Sequence, residues 1–190
     1  MDPTPPAPDI RPLATGDADA WRTLRLEALR DHPHAFATSY EDCADRDVAH
    51  FAARIPGPDE PSALFGLFVD GELSGSAGFA VQQGLKLRHK GLLWGVYVRP
   101  RLRGLGLGRA LISRVIDRAR EHVDLLQAGV ASGNDVARCA YFDLGFKTYG
   151  LEPAALRIDG VDHDEELIWL DLRGGADSLP DAAISDRRAP

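Results

Sequence analysis

The stretch VRPRLRGLGLGRALI, residues 98–112, places glycines at 104, 106 and 108 between an apolar run and a helical repeat. Glycine adopts positive φ without strain, so alternate glycines at a helix entrance can gather several N–H groups where the helix dipole is positive. The stretch therefore calls for a strand, an anion-holding loop and a helix in succession, a unit of an α/β fold. Two phosphate loops fail on spacing. A GxGxxG fingerprint read from Gly104 meets Arg109 at its sixth position, and read from Gly106 meets Leu111; no Gly-Lys-Ser/Thr follows for a Walker loop. At this level a merely flexible strand-to-helix connection stays open beside the anion site.

The flanking periodicities fill in the rest. Trp21, Leu24, Ala28 and Leu29 recur at helical spacing after Asp17, a candidate N-cap, and a second helix is predicted through residues 45–55, stopping before Pro56. Two apolar runs around Asp70-Gly71 predict a hairpin. Residues 91–99 form a third strand, in which Gly95 predicts a bulge. Leu107, Leu111, Val115 and Ala119 then mark a long helix, 125–131 a strand, Asn134 the start of a short helix, and 146–150 another strand. A last hairpin turns at Asp159-Gly160. This order predicts a mixed α/β sheet covered by helices.

A chain of 190 residues with 44% hydrophobic content suits one domain, expected at 9–173 between mobile tails at 1–8 and 174–190. Its 22 basic and 29 acidic residues, net −7, argue against a nucleic-acid partner. No apolar run approaches the ~20 residues of a membrane span, and the N-terminus lacks the pattern of a secretory signal. Cys43 and Cys139 stand far apart, outside any CxxC pair, which fits a reducing cytoplasm, and Cys139 reads as a small packing residue. His32 and His34 read as a loop beside Pro33, so no metal site is expected.

Two motifs then fall in register. Arg103, Gly106 and Gly108 match Arg/Gln-x-x-Gly-x-Gly/Ala, and NDVARCAYFDLGF matches Asn-x-x-Ala-x-x-x-Tyr-x-x-x-Gly-Phe through Asn134, Ala137, Tyr141, Gly145 and Phe146. In this order they resemble the GNAT superfamily of N-acetyltransferases, and the segments IRPLATGDADAWRTLRLEAL and HPHAFATSYEDC resemble its bacterial branch. The resemblance implies the GNAT fold, a mostly antiparallel sheet with strands 4 and 5 splayed and about four flanking helices, and acetyl-CoA as donor. It places the coenzyme pyrophosphate on the backbone of Arg103, Gly104, Leu105, Gly106, Leu107, Gly108 and Arg109. Val96, Tyr97 and Val98, around the bulge at Gly95, would face the thioester and pantetheine arm, with Asn134 and Tyr141 completing the coenzyme site.

Acyl transfer to an amine requires a neutral nucleophile, donors for the developing oxyanion and a proton for the leaving thiolate. By resemblance Tyr141 is the general acid; a half-buried aromatic is its bland alternative, as a helix N-cap is for Asn134. For the general base the first candidate is Glu27, within RLEALR, unless it is a solvated residue paired with Arg22, Arg25 or Arg30. Glu41 and Tyr97 follow, with Trp94 as a wall of the acceptor pocket. The acidic run Asp162 to Glu166 reads mostly as a solvated turn. The resemblance implies as acceptor a small-molecule amine, a protein N-terminus or a lysine. Dimerisation is common among the relatives. A catalytically silent acyl-CoA-binding module is the alternative function.

Overall fold

The computed structural model describes residues 8–174. In chain order these form β1 (Asp9–Pro12), α1 (Ala18–Asp31), α2 (Glu41–Ala44), α3 (Val48–Ala52), β2 (Ala63–Val69), β3 (Glu72–Val81), β4 (Lys90–Val98), α4 (Leu107–Arg120), β5 (Leu125–Ala131), α5 (Asp135–Phe142), β6 (Lys147–Ile158) and β7 (Val161–Asp171). Apart from Pro8 and Gly174, the tails expected at 1–8 and 174–190 lie outside the described residues. No helix among those residues is long and apolar enough to cross a membrane.

All strands join one sheet in the order β1-β2-β3-β4-β5-β7-β6, with β4 and β5 its one parallel pair. A parallel pair requires a crossover, and here α4 supplies it. Both expected tight turns form: Asp70 and Gly71 have φ of 53° and 79°, and Asp159 and Gly160 have φ of 51° and 79°, as a two-residue hairpin turn needs.

Alternation along the strands separates two cores. Phe65, Leu67, Ala77, Phe79 and Leu93 pack under α4 and α5, while Leu64, Leu73 and Tyr97 pack under α1 to α3. The stripe on α4 holds as expected, with Leu111, Ile112, Val115, Ile116 and Ala119 all buried. Fully burying one such Leu, Ile or Val side chain stabilises by roughly 1.5–3 kcal/mol, an upper bound for a real unfolded chain. Trp21 and Phe51 meet edge to face at 5.4 Å and close the other core.

Four local expectations are corrected. Asp17 does not cap α1; its carboxylate turns back to accept the Ala14 N–H at 2.8 Å and pairs with Arg11. The single helix expected at 45–55 is replaced by the short α2 and α3, because Asp47 starts α3 by accepting the His50 N–H at 2.9 Å. The strands expected at 146–150 and within AALRIDG are one strand, β6, whose ladder is interrupted between Glu152 and Leu156. Pro153 has no N–H to donate there, and Ala154 has a φ of 52°. Cys139 is exposed on α5 rather than packed, whereas Cys43 is buried.

Candidate active site

The sheet opens where β4 leaves β5. The two strands pair only from Lys90–Leu125 to Leu92–Gln127, after which β5 continues on β7 and the second half of β4 has no partner on that side. Gly95, at φ 64°, forms the expected bulge, and the register against β3 shifts between Ser76 and Gly78. That extra residue turns Trp94 and Tyr97 to the same face of the sheet, toward α1. The result is a notch whose β4 edge carries backbone groups without a strand partner, just before the glycine loop.

That loop approaches α4 through Gly104 and Gly106, with φ of 78° and 75°. Gly106 occupies the N-cap position, no side chain caps the helix, and the first helical bond runs from the Ala110 N–H to the Gly106 carbonyl. A Cβ at Gly104 or Gly106 would meet nothing within 4 Å, so the backbone faces open space on that side. Uncapped N–H groups, a positive helix end and an unobstructed surface fit a pyrophosphate. Leu105 is 68% exposed between the two glycines, and Arg109 reaches Asp143 at 3.4 Å. The Arg103 guanidinium serves the loop itself: Nε donates to the Val98 carbonyl at 3.0 Å, and Nη2 contacts His32 Nε2 at 2.9 Å. Burial and then the Arg103 charge hold the His32 imidazole below its usual pKa, which suits it to accept that bond.

Across the notch, Asn134 Oδ1 accepts the Ala137 N–H at 3.2 Å and so caps α5. Seven residues later Tyr141 is only 6% exposed and packs edge to face on Phe146 at 5.4 Å. Burial drives its phenol pKa well above the ordinary value, so the group stays protonated. Among the described residues its hydroxyl has no hydrogen-bond partner.

On the α1 face, Glu27 turns inward from the helix, as expected, but its partner is none of Arg22, Arg25 and Arg30. Tyr97 donates its hydroxyl proton to Glu27 Oε1 at 3.0 Å, while Arg99 Nε contacts both carboxylate oxygens at 3.1 and 3.0 Å. Arg99 also pairs with Glu72. Arg22 instead donates to the Ala44 and Arg46 carbonyls, and Arg30 pairs with Asp31. Burial, then the bond to Glu27, pushes the Tyr97 phenol up to about 12. Trp94 lies across Gly78, where a Cβ would come within 2.1 Å of the indole, and meets Trp21 at 6.3 Å. Glu41 is exposed at the start of α2 and, among the described residues, forms no hydrogen bond or ion pair with this group.

Arg99 is not anticipated in the sequence, and Glu165 and His163 belong to the run expected as a solvated turn, which is instead the half-buried start of β7. Arg99 lies two residues beyond Tyr97 at the end of β4, a spacing that could have paired it with the same inward carboxylate. Glu165 leans over Gly129 of β5, where a Cβ would lie 2.7 Å from its Oε2; burial and then Glu152 hold its carboxyl above the usual range. His163 meets His34 at 4.8 Å, joining β7 to the turn after α1. No local pattern could announce the last two, because both depend on how far the β6–β7 hairpin reaches back over the sheet.

Residues 20–146 match the family model described as the acetyltransferase (GNAT) family. No curated protein matches the chain. Among solved structures, the chain is similar to yncA, a putative acetyltransferase from Salmonella typhimurium solved with its cofactor acetyl-CoA, at 27% identity and a TM-score of 0.79 over 93% of this chain and 99% of that one. It shares its fold with a GNAT-family acetyltransferase from Streptococcus pneumoniae, at 20% identity and a TM-score of 0.76 over 87% of this chain and 99% of the other. A ribosomal-protein-alanine N-acetyltransferase from Brucella melitensis has the same fold, at 23% identity and a TM-score of 0.73 over 86% and 99%.

Proposed function

We propose that this chain, which belongs to the GNAT acetyltransferase family, transfers an acetyl group from acetyl-CoA to a primary amine by direct attack within a ternary complex. The observation that carries this reading is the unpaired half of β4: a bulged strand leading straight into an uncapped, glycine-lined helix N-terminus. When bound, acetyl-CoA supplies an activated acyl group as a thioester. The N–H groups from Gly104 to Arg109 would hold its pyrophosphate, and the backbone at Val96, Tyr97 and Val98 would receive the arm and the carbonyl. Preorganised donors of this kind stabilise developing negative charge without rearranging, and in other enzymes loss of one costs about 3 kcal/mol.

Proton handling divides between the two faces of the sheet. Tyr141, kept protonated by burial, gives its proton to the departing sulfur. On the acceptor side Tyr97 and Glu27 form a relay: the Tyr97 oxygen takes the amine proton while its own proton passes to the carboxylate it already bonds. Arg99 holds that carboxylate in place through both of its oxygens. Trp94 would wall the acceptor pocket, and Glu41, exposed on α2, would stand at its rim.

A thiol-release assay over small amines, amino acids and peptide N-termini tests the reading. Release of free coenzyme A that depends on the amine is the expected result; a thermal shift with acetyl-CoA but no release with any amine would instead identify a silent coenzyme-binding module. Glu27→Gln should lower the rate roughly 100-fold, within the range for removal of a general base. An unchanged rate in Glu27→Gln would remove that carboxylate from proton transfer.

A further inference from the structure

Arg25 has an environment unlike that of the other arginines around the notch. It projects from α1 between Phe36 and the bulge, with its guanidinium carbon 4.6 Å from the Phe36 ring centre and its Nη1 3.6 Å from where a Cβ on Gly95 would stand. Nη1 is closed off from water and has no hydrogen-bond partner, the one side-chain atom in that condition among the described residues. Glu27, the carboxylate two residues along α1, is committed to Arg99 and Tyr97. Burial drives the Arg25 pKa down, against an opposing effect of Cys43, and Arg54 adds a second positive charge to its surroundings.

A desolvated cationic donor without a partner is disfavoured unless something else satisfies it. Here it sits against the bulge where the amine is proposed to react, and the aromatic ring beneath it orients the planar fork. A fork of N–H donors matches a carboxylate through two parallel bonds. We propose that Arg25 binds the carboxylate of the acceptor, so that the acceptor is an amine bearing a carboxylate close to its nitrogen, of the α-amino acid class. The assignment rests on the acetyltransferase reading of the notch. It also separates the local field from the global one: a net charge of −7 suggests cationic acceptors such as polyamines, but the charge at the bulge is positive.

Thiol release measured with free amino acids, their amides, their decarboxylated amines and peptides of the same N-terminal residue tests the proposal. The intact protein should favour the free acid at least tenfold in kcat/KM over the other three. Arg25→Gln should bring that ratio near one, chiefly by raising KM for the acid, and Arg25→Lys should restore part of it. Coenzyme A affinity by calorimetry verifies that each variant is folded. A second arm needs no turnover: N-acetylated amino acids, compared with their amides, should raise the melting temperature of the intact protein but not of Arg25→Gln. Equal use of acid and amide, or an acid preference that survives in Arg25→Gln, overturns the proposal. Absence of thiol release with every amine would count against the acetyltransferase reading alone; the binding arm would then decide the role of Arg25, and equal shifts with acid and amide would overturn it.

Discussion

Tyr141→Phe is expected to lower turnover about 100-fold or more while leaving coenzyme A affinity nearly unchanged. The phenylalanine keeps the ring that packs on Phe146, so the buried side of α5 is preserved. What disappears is a hydroxyl with no hydrogen-bond partner among the described residues, held in its protonated form by burial, and removing a positioned general acid typically costs two to four orders of magnitude in rate. Deleting that hydroxyl leaves no donor or acceptor stranded, so the melting temperature should scarcely move. The decisive comparison is steady-state kcat against calorimetric affinity for coenzyme A. An unchanged kcat would remove Tyr141 from the chemistry, and a parallel loss of affinity would make it a binding residue instead.

Gly106→Val should act in the opposite way, weakening coenzyme A binding by roughly 10- to 100-fold at modest change in stability. At φ 75° a side chain imposes backbone strain of roughly 1–2 kcal/mol, more for a β-branched residue, and a relaxed backbone would turn the α4 N–H groups away from a common point. The space beside Gly106 is open, with no atom within 4 Å of an added Cβ, and the side chain would occupy the surface on which the pyrophosphate is proposed to lie. Titration calorimetry with coenzyme A checks this, and wild-type affinity in the variant would dissociate the loop from the coenzyme.

The proposed donor half of the candidate site was legible because it is built from backbone conformation, and backbone conformation is written in local sequence. Gly95, Gly104 and Gly106 announce positive φ at fixed distances from one another, and Asn134 announces a helix start that the Ala137 N–H confirms. The acceptor half is assembled from side chains distant in sequence. Glu27 was singled out for lying among leucines, yet its partners Tyr97 and Arg99 come from a strand some seventy residues on, as the separations of 70 and 72 record. Arg25 looked like one of several arginines available to Glu27 and is instead the one left without a partner. Local competition explains the misread boundaries: Asp17 prefers Arg11 to the helix end, and Asp47 divides one expected helix into two.

The notch between β4 and β5 arises from pairing that simply stops at Leu92 and Gln127, while β5 stays paired with β7 on its other edge along its whole length. It is therefore a standing gap, kept open by the same ladders and cores that hold the sheet together, and no strands have to be prised apart when a ligand enters. Free energy released on binding is not consumed in creating the opening and can go into affinity and alignment. A mutation that loosened the β5–β7 ladder would accordingly register as weaker binding before it registered as unfolding.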